Sequence, residues 1–186
     1  MIDYSQFGEQ TLIANLLREI GEKNRWCFEV GAADGRFLSN TLHFREQGWN
    51  AVLAESRVEE FLKLSKDFPD ANAYLGEVTD MDWLLEHFGA PKDIDLGVID
   101  IDGQDYWLWH DMVRYRPRIM LIEFNPYNGA KGYHPTKIVE RGKPGQTAKT
   151  PIVNLATAKG YELRGETFCN LLFVDRDCPI RRFGHR

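Results

Sequence analysis

FEVGAADG, residues 28–35, is the stretch of the sequence that decides the fold. Residues 26–30 are mostly apolar and predict a buried strand that runs directly into a turn. Gly31 and Gly35 allow a tight turn and let the backbone approach a ligand closely, because glycine has no Cβ. In open α/β sheets, ligands bind beyond the carboxyl ends of the strands. We therefore expect this turn to form one wall of a ligand site.

Predicted strands and helices alternate outward from this turn. Residues 9–20 predict an amphipathic helix, because apolar side chains recur there at helical spacing. Further helices are expected over residues 40–47, 58–67, 80–88, 104–115 and 151–159, the first of them capped by Ser39. Further strands are expected over residues 50–55, 71–78, 94–102, 118–125, 161–168 and 170–175. Parallel neighbouring strands need crossover helices, so this alternation predicts an α/β fold with a mainly parallel sheet and helices on both faces.

The carboxyl-terminal third of the chain departs from the alternation. Residues 127–150 contain four glycines, two prolines and five lysine or arginine residues. A connection of this length is usually functional, so we expect a lid or a substrate loop. A single residue separates the last two predicted strands, and strands joined so closely must be antiparallel. We therefore expect a hairpin at one end of the sheet.

Composition limits the classes to which the chain can belong. The 186 residues carry a net charge of −5, and 43% of them are hydrophobic. This predicts one domain over residues 1–186, with residues 1–25 as an N-terminal helical segment. The acidic balance argues against a nucleic-acid partner, which needs a basic face.

The cysteines and the apolar stretches bear on location. Three cysteines without CxxC spacing argue against a disulfide framework or a zinc site, and they favour a reducing, cytoplasmic location. The first residues show no signal-peptide pattern, and no stretch of about 18 apolar residues is present. We therefore expect neither a membrane segment nor a membrane partner.

Acidic residues surround the turn, where a dinucleotide-binding loop would keep a bare backbone. Ala33 stands at the second glycine position of GxGxxG, which disfavours a nicotinamide-dependent oxidoreductase. Glu29 and Asp34 flank the turn instead. Two acids suit a ligand that carries a cationic amino group and a sulfonium better than one that carries a pyrophosphate.

Two more acids are expected at the same edge of the sheet. Glu55 ends the next strand, 24 residues after Gly31, and an acid near that spacing typically bonds ribose hydroxyls. Glu77 closes the third predicted strand, where an adenine would be expected, although an ordinary exposed acid is an equal alternative there. The predicted cofactor-binding residues share this edge: Glu29, Gly31, Ala32, Asp34, Gly35, Glu55, Ser56, Glu77 and Val78.

Eight short blocks spread over most of the chain are typical of one known family. They are YSQFGEQ (4–10), FEVGAADG (28–35), SNT (39–41), GW (48–49), IDIDGQDY (99–106), IEFNP (122–126), GY (160–161) and NLLFV (170–174). With these blocks the chain resembles the FkbM-like branch of the S-adenosylmethionine-dependent methyltransferases. The resemblance implies a Rossmann-like class I methyltransferase sheet, S-adenosylmethionine as the cofactor, and ligand contacts at Glu29, Gly31, Asp34 and Glu55.

Candidate catalytic carboxylates end the fourth and fifth predicted strands. Strand alternation would point Asp100 and Asp102 to one face, and the fourth strand of a methyltransferase sheet adjoins the transferred methyl group. Either carboxylate could take a proton from an attacking hydroxyl. Glu123 and Asn125 share a face on the next strand, and with Asp105 they complete a cluster of oxygens. Such oxygens suit Mg²⁺ or Ca²⁺, so a divalent metal is an alternative to helix capping or cofactor contact.

Several other residues allow two interpretations each. His110 is either part of a packed helix face or a general base, and His134 is either a solvated loop residue or part of a closing lid. Tyr106, Trp107 and Trp109 favour core packing over a stacking surface. The loop cations either meet an anionic acceptor or keep the loop soluble: Lys131, Lys137, Arg141, Lys143 and Lys149.

The sequence as a whole favours an enzyme that moves a methyl group from S-adenosylmethionine to a hydroxyl. The expected partner is a small acceptor, such as a sugar. The alternative is a non-catalytic module that binds S-adenosylmethionine or another nucleoside. Nothing in the sequence indicates the oligomeric state.

Overall fold

The computed structural model describes residues 2–127 and 134–179. Its helices are α1 Glu9–Ile20, α2 Leu42–Arg45, α3 Val58–Asp67, α4 Met81–His87, α5 Asp105–Asp111 and α6 Lys149–Ala158. Its strands are β1 Trp26–Val30, β2 Asn50–Glu55, β3 Asn72–Leu75, β4 Leu96–Ile99, β5 Ile119–Glu123, β6 Tyr161–Glu166 and β7 Asn170–Asp175.

All seven strands form one sheet in the order β3-β2-β1-β4-β5-β7-β6. The five strands from β3 to β5 are parallel, with Phe28 of β1 opposite Val52 of β2 and Gly97 of β4. Strand β7 runs antiparallel to both β5 and β6, so the last two strands form the expected hairpin. The prediction of a mainly parallel sheet with an antiparallel hairpin is confirmed.

Two apolar cores cover the two faces of the sheet. Side chains along a strand alternate between faces, so Phe28 enters one core and Cys27 enters the other. Helices α4, α5 and α6 contribute to the first core, where Trp109 is fully buried. Helices α1, α2 and α3 contribute to the second, where Ile13 is fully buried. Helices therefore lie on both faces, as predicted.

The central strands end earlier than their sequence predicts. Strand β3 ends at Leu75, because Gly76 has a φ of +146° and leaves the extended conformation. Strand β4 ends at Ile99, and Asp102 beyond it has a φ of +57°. The alternation that would point Asp100 and Asp102 to one face therefore stops before either residue. Glu77 likewise lies in a loop and does not close β3.

Strand β5 and several helices also differ from their expected bounds. Strand β5 ends at Glu123, so Asn125 shares no strand face with it and instead forms an isolated bridge with Ala148. Helix α2 begins at Leu42 with Thr41 at its N-cap, so Ser39 is not the cap, although its hydroxyl accepts a hydrogen bond from the Leu42 backbone N–H at 3.1 Å. Helix α5 covers Asp105–Asp111 only, and α6 covers Lys149–Ala158.

The predicted location depended on two properties, the state of the cysteines and the presence of an apolar stretch long enough to cross a membrane. Cys27 and Cys169 are buried and Cys178 is half-buried, all three as free thiols. Within the two described ranges, no helix combines the length and the apolar character needed to cross a bilayer.

Candidate functional site

A cavity of about 970 Å³ opens at the carboxyl edge of the parallel strands. It extends from the loops that follow β2 and β3, across β1 and β4, to the end of β5 and the start of β7. Most of the predicted site residues line it: Glu29, Gly31, Ala32, Glu55, Ser56, Glu77, Val78, Asp100, Asp102 and Glu123. Asp34, Gly35 and Asn125 are not part of its wall.

The turn after β1 packs against the end of β4. The backbone N–H groups of Gly31 and Ala32 both donate to the carbonyl oxygen of Ala54, each at 3.0 Å. Gly31 has a φ of +90°, and a Cβ placed there would lie 2.9 Å from the carbonyl carbon of Asp100 and closer still to its oxygen. The position therefore requires glycine for both its conformation and its space.

Glu55 fixes the turn from the side of β2. Its Oε2 accepts a hydrogen bond from the Ala33 backbone N–H at 2.8 Å, and its Oε1 accepts one from the Arg57 backbone N–H at 2.7 Å. The Arg57 guanidinium also pairs with Oε1 at 3.2 Å. The buried carboxylate thus holds the turn in place at the cavity wall. Its expected bond to ribose hydroxyls stays a prediction.

The two acids that flank the turn, Glu29 and Asp34, accept hydrogen bonds from other residues of the chain. Glu29 is buried and accepts hydrogen bonds from the Ser39 and Thr41 hydroxyls at 2.7 and 2.6 Å and from the Asn40 backbone N–H at 2.8 Å. Asp34 accepts from the backbone N–H groups of the second and third residues after it, at 2.8 and 2.7 Å. These bonds make both acids positioning residues of the loop, and direct ligand contacts by them stay predictions.

Four carboxylates meet where β4 and β5 end. Asp105 accepts hydrogen bonds from the backbone N–H groups of Ile101 and Gly103, both at 2.9 Å. Glu123 accepts one from the Asp102 backbone N–H at 3.2 Å. Asp100 completes this group, which we call the carboxylate cluster: Asp100, Asp102, Asp105 and Glu123. Backbone turns that are held by their own acids therefore bring the cluster together.

Burial and mutual repulsion raise the pKa values of three members of the carboxylate cluster. Burial, followed by the charges of Asp105 and Glu29, raises the pKa of Asp100 to about 7. Burial, followed by the charge of Asp100, raises the pKa of Glu123 to about 9. The pKa of Asp105 is raised to about 6, mainly by burial. Strongly raised carboxylate pKa values are characteristic of functional sites.

Glu123→Gln is expected to stabilise the ligand-free protein at pH 9 but not at pH 5. A carboxyl group whose pKa is raised on folding contributes stability below its unfolded pKa, and that contribution is lost as pH rises toward the folded value. For Glu123 the window runs from about 4.5 to about 9. Thermal unfolding at pH 5, 7 and 9 measures the effect, with Glu59→Gln on the exposed face of α3 as the control. A Tm difference that does not grow with pH would contradict the raised pKa.

The described part of the long loop packs against the start of α5. Gln104 donates through Nε2 to the carbonyl oxygen of Lys143 at 2.8 Å, and its Oε1 accepts from the Gly142 backbone N–H at 2.9 Å. Residues 141–144 consequently form part of the cavity wall. Lys131, one of the loop cations, lies outside the described residues.

Trp107 provides a second attachment for the loop. Its indole N–H donates to the carbonyl oxygen of Val139 at 2.7 Å. The Arg141 guanidinium lies 4.3 Å from the centre of the Trp107 ring and pairs with Asp111 at 2.5 Å. Trp107 therefore lies at the cavity and anchors the loop, whereas Trp109 is core, as predicted.

Trp107→Ala is expected to expose the loop to trypsin. The substitution removes a hydrogen bond worth about 0.5–1.5 kcal/mol and a cation–π contact worth about 0.5–1 kcal/mol. Cleavage after Arg141 should then accelerate roughly 10-fold, since proteolysis follows the population of the open form. Trp107→Phe keeps the ring and should show a smaller rise. Equal cleavage of the wild type and Trp107→Ala would contradict this attachment.

The two histidines lie apart from the carboxylate cluster. His110 is exposed but packs against the rings of Tyr106 and Trp107, and its Nδ1 lies 2.7 Å from an Asp111 carboxylate oxygen. His134 is exposed at the start of the described part of the loop and contacts the Thr136 hydroxyl at 2.9 Å. Neither histidine lines the cavity.

Several lining residues were not identified from the sequence. Four polar residues belong to this group and line the cavity: Gln6, Asn40, Gln104 and Asn170. Asn170 offered one signal, because it is a polar residue at the start of an otherwise apolar strand. The other three lie in loops or just before helices, where polar residues are common and carry little information.

A metal has no support among residues 2–127 and 134–179. No group of three or more His, Cys, Asp or Glu side chains in these ranges is arranged to hold an ion. Asn125, one of the candidate metal ligands, uses its Oδ1 to accept a hydrogen bond from the Tyr127 backbone N–H at 3.0 Å.

Solved structures with the same fold are known, although sequence comparison gives no relative. No family model matches the chain, and no curated protein matches it. An amino pentose methyltransferase from Micromonospora echinaspora with bound S-adenosylmethionine superimposes with a TM-score of 0.59, at 10% identity and with 91% of each chain covered. An S-adenosylmethionine-dependent methyltransferase from Clostridium acetobutylicum gives 0.58, at 9% identity and with 93% of this chain and 92% of the other covered.

A third neighbour contains the product form of the cofactor. The glycopeptide N-methyltransferase MtfA in complex with S-adenosylhomocysteine gives a TM-score of 0.51, at 14% identity and with 92% of this chain and 90% of the other covered. Identities this low establish the architecture and leave the activity open. The chain has the class I methyltransferase fold.

Proposed function

We propose that the chain is an S-adenosylmethionine-dependent methyltransferase that methylates a hydroxyl group of a sugar or of another small hydroxylated acceptor. The observation that carries this proposal is the single cavity that joins the Gly31 turn to the carboxylate cluster. Its volume of about 970 Å³ lies at the upper end of the roughly 300–1,000 Å³ of small-molecule sites. It therefore offers room for a cofactor and an acceptor together.

The charge of the cavity wall fits the proposed cofactor. S-adenosylmethionine would supply an electrophilic methyl group on a sulfonium. Glu29, Glu55 and Asp100 line the half of the cavity around the turn, and acids disfavour a pyrophosphate there while favouring a cation. The FkbM-like resemblance and the fold support the same assignment. Glu77 and Val78 extend the wall to the end of β3, where we place the adenine.

Asp100 is the better candidate for the base. It is half-buried beside the Gly31 turn, whereas Asp102 is exposed and its Oδ1 accepts a weak hydrogen bond from Gln146 at 3.4 Å. In the proposed step a new C–O bond forms as the C–S bond breaks, and the bonding electrons stay on sulfur. The hydroxyl proton passes to the Asp100 carboxylate. Chain residues thus contribute positioning and proton removal.

An exposed aromatic group beside the cavity favours a sugar. The rings of Phe7 and Phe168 lie 5.3 Å apart, and Tyr127 packs edge-on against Phe168 at 6.3 Å. All three side chains are exposed, next to the lining residues Gln6 and Asn170. Exposed aromatic patches commonly mark binding sites, and sugars present apolar C–H faces to such rings.

Calorimetry and a product assay test this proposal together. We expect the protein to bind S-adenosylmethionine and S-adenosylhomocysteine, and to release S-adenosylhomocysteine when a suitable member of a panel of sugars is added. Binding without turnover on any acceptor would favour the alternative, a non-catalytic cofactor-binding module. Failure to bind either nucleoside would reject both. A cytoplasmic location accords with the free thiols and stays a prediction.

A further inference from the structure

The end of the cavity beyond the carboxylate cluster is formed by a pair of facing residues. Glu123 is the last residue of β5 and Asn170 is the first of β7, and the antiparallel register places them opposite each other. Both line the cavity, and both are nine-tenths buried or more, with exposed fractions of 9% and 1%. We call this the Glu123–Asn170 pair.

The orientation of the Asn170 amide is fixed by its neighbour Glu9. Glu9 Oε1 accepts hydrogen bonds from the Thr167 hydroxyl at 2.6 Å and from Asn170 Nδ2 at 3.2 Å. A carboxylate that accepts these bonds selects the NH₂ end of the amide, so the carbonyl end must lie away from it. Within the described chain, Asn170 Oδ1 is buried and has no hydrogen-bond partner. A buried acceptor in this state has lost its bond to water and gained none in return, so a donor that reaches it binds favourably.

Among the described residues, the charged groups that act on the pair are acidic. Asp100, Asp102 and Asp105 surround Glu123, and Glu9 lies on the other side of Asn170. Of the three cations in the described cavity wall, Arg57 pairs with Glu55 and Arg141 with Asp111, while Lys143 belongs to the loop segment bound by Gln104. In residues 2–127 and 134–179, no lysine or arginine forms an ion pair with Glu123 or Asp100. In its ionised form the pair offers hydrogen-bond acceptors and negative charge, and a bound cation would favour that ionised form of Glu123.

The pair is also separate from the part of the cavity that we assign to the cofactor. In the sheet, β5 is two strands from β1 and β7 is three strands from it. Neighbouring strands lie about 4.8 Å apart, so the pair is roughly 10–14 Å from the Gly31 turn along the sheet. Asp100 lies between the two, beside the proposed site of methyl transfer.

We propose that the Glu123–Asn170 pair is a subsite for a protonated amino group of the acceptor, so that the acceptor is an amino sugar or a similar amino-bearing polyol. An ammonium group would donate to Asn170 Oδ1 and to the Glu123 carboxylate and would supply the missing positive charge. A separate hydroxyl of the same molecule would then lie near Asp100. This inference rests on the proposed function, since it assigns the acceptor of that same site.

Matched sugars test the subsite in the full chain saturated with S-adenosylhomocysteine. The probes are glucosamine against glucose and galactosamine against galactose, and binding is measured by calorimetry or saturation-transfer NMR at pH 7. We expect the amino member of at least one pair to bind 10-fold tighter or better. Glu123→Gln should reduce the preference to about 2-fold, whereas the control Glu59→Gln should keep it. Asn170→Ala, which removes the acceptor oxygen, should also reduce the preference.

Each contrary outcome overturns the subsite. These outcomes are equal binding of both members in every pair, no binding of any probe, and a preference that survives Glu123→Gln. A preference that is present without S-adenosylhomocysteine and vanishes with it would assign the subsite to the cofactor's own amine. Calorimetry with S-adenosylhomocysteine alone separates failure of the subsite from failure of the proposed function. If S-adenosylhomocysteine binds but no amine preference is seen, only the subsite is rejected. Thermal unfolding of each variant tests whether the variant is folded.

Discussion

Gly31→Ala is expected to lower the free energy of unfolding by about 2–5 kcal/mol and to abolish cofactor binding. About 1–2 kcal/mol comes from forcing a residue with a side chain to a positive φ. A further 1–3 kcal/mol, approximately, comes from overpacking, because the new methyl group would overlap the backbone carbonyl of Asp100. Denaturant unfolding measures the first effect, and calorimetry with S-adenosylmethionine on the fraction that folds measures the second.

Gly48→Ala is the matched control for that substitution. Gly48 has a φ of +82°, close to the +90° of Gly31, and a Cβ placed there would meet nothing within 4 Å. Gly48→Ala should therefore lose only the part of the free energy of unfolding that comes from the positive φ, about 1–2 kcal/mol. It should retain cofactor binding. Equal losses of stability in the two variants would show that the contact between the turn and β4 is looser than described.

Asp100→Asn is expected to lower kcat by about 10²–10⁴-fold, the usual contribution of a general base, while the Kd for S-adenosylmethionine changes much less. The wild-type rate should rise with pH as the Asp100 carboxylate ionises. Its pKa is raised to about 7 in the ligand-free protein, and a bound cation favours the ionised form, so the rise should be centred at or below that value. The variant should lack this rise. Formation of S-adenosylhomocysteine with the acceptor from the sugar panel provides the assay.

Asp102→Asn distinguishes the two aspartates. Because Asp102 is exposed and bound to Gln146, its substitution should change kcat by less than about 10-fold, well under the range for a base. A larger loss in Asp102→Asn than in Asp100→Asn would reassign the proton transfer to Asp102. Undiminished turnover in both variants would remove the carboxylate base from the mechanism.

The parts of the fold that could be predicted are those that depend on local sequence. The apolar spacing in α1 and the buried run in β1 are periodic within a few residues, and both elements have the predicted bounds. The single residue expected between β6 and β7 also sufficed to predict an antiparallel hairpin. In each case the deciding information lies within about a dozen neighbouring residues.

The parts that could not be predicted depend on contacts between distant residues. The sequence IDID continues the strand pattern past Ile99. In the structure, however, the backbone N–H groups after Ile99 donate hydrogen bonds to Asp105 and Glu123, and the chain turns there. Glu29 has the residue type of a ligand contact, yet its partners Ser39 and Thr41 become visible only once the loop is folded. The orientation of the Asn170 amide depends on a hydrogen bond to Glu9, which precedes it by 161 residues.

The bonds from Glu9 to Thr167 and Asn170 join residues 158 and 161 positions apart. Closing so long a loop is entropically costly and slows folding relative to local contacts. The turn after β1, in contrast, is completed by strands that follow within about 75 residues. The two halves of the cavity therefore differ in when they can exist during synthesis. A ribosome-bound chain that has emerged as far as β4 contains every residue of the Gly31 turn, whereas the Glu123–Asn170 pair must wait for the final strand.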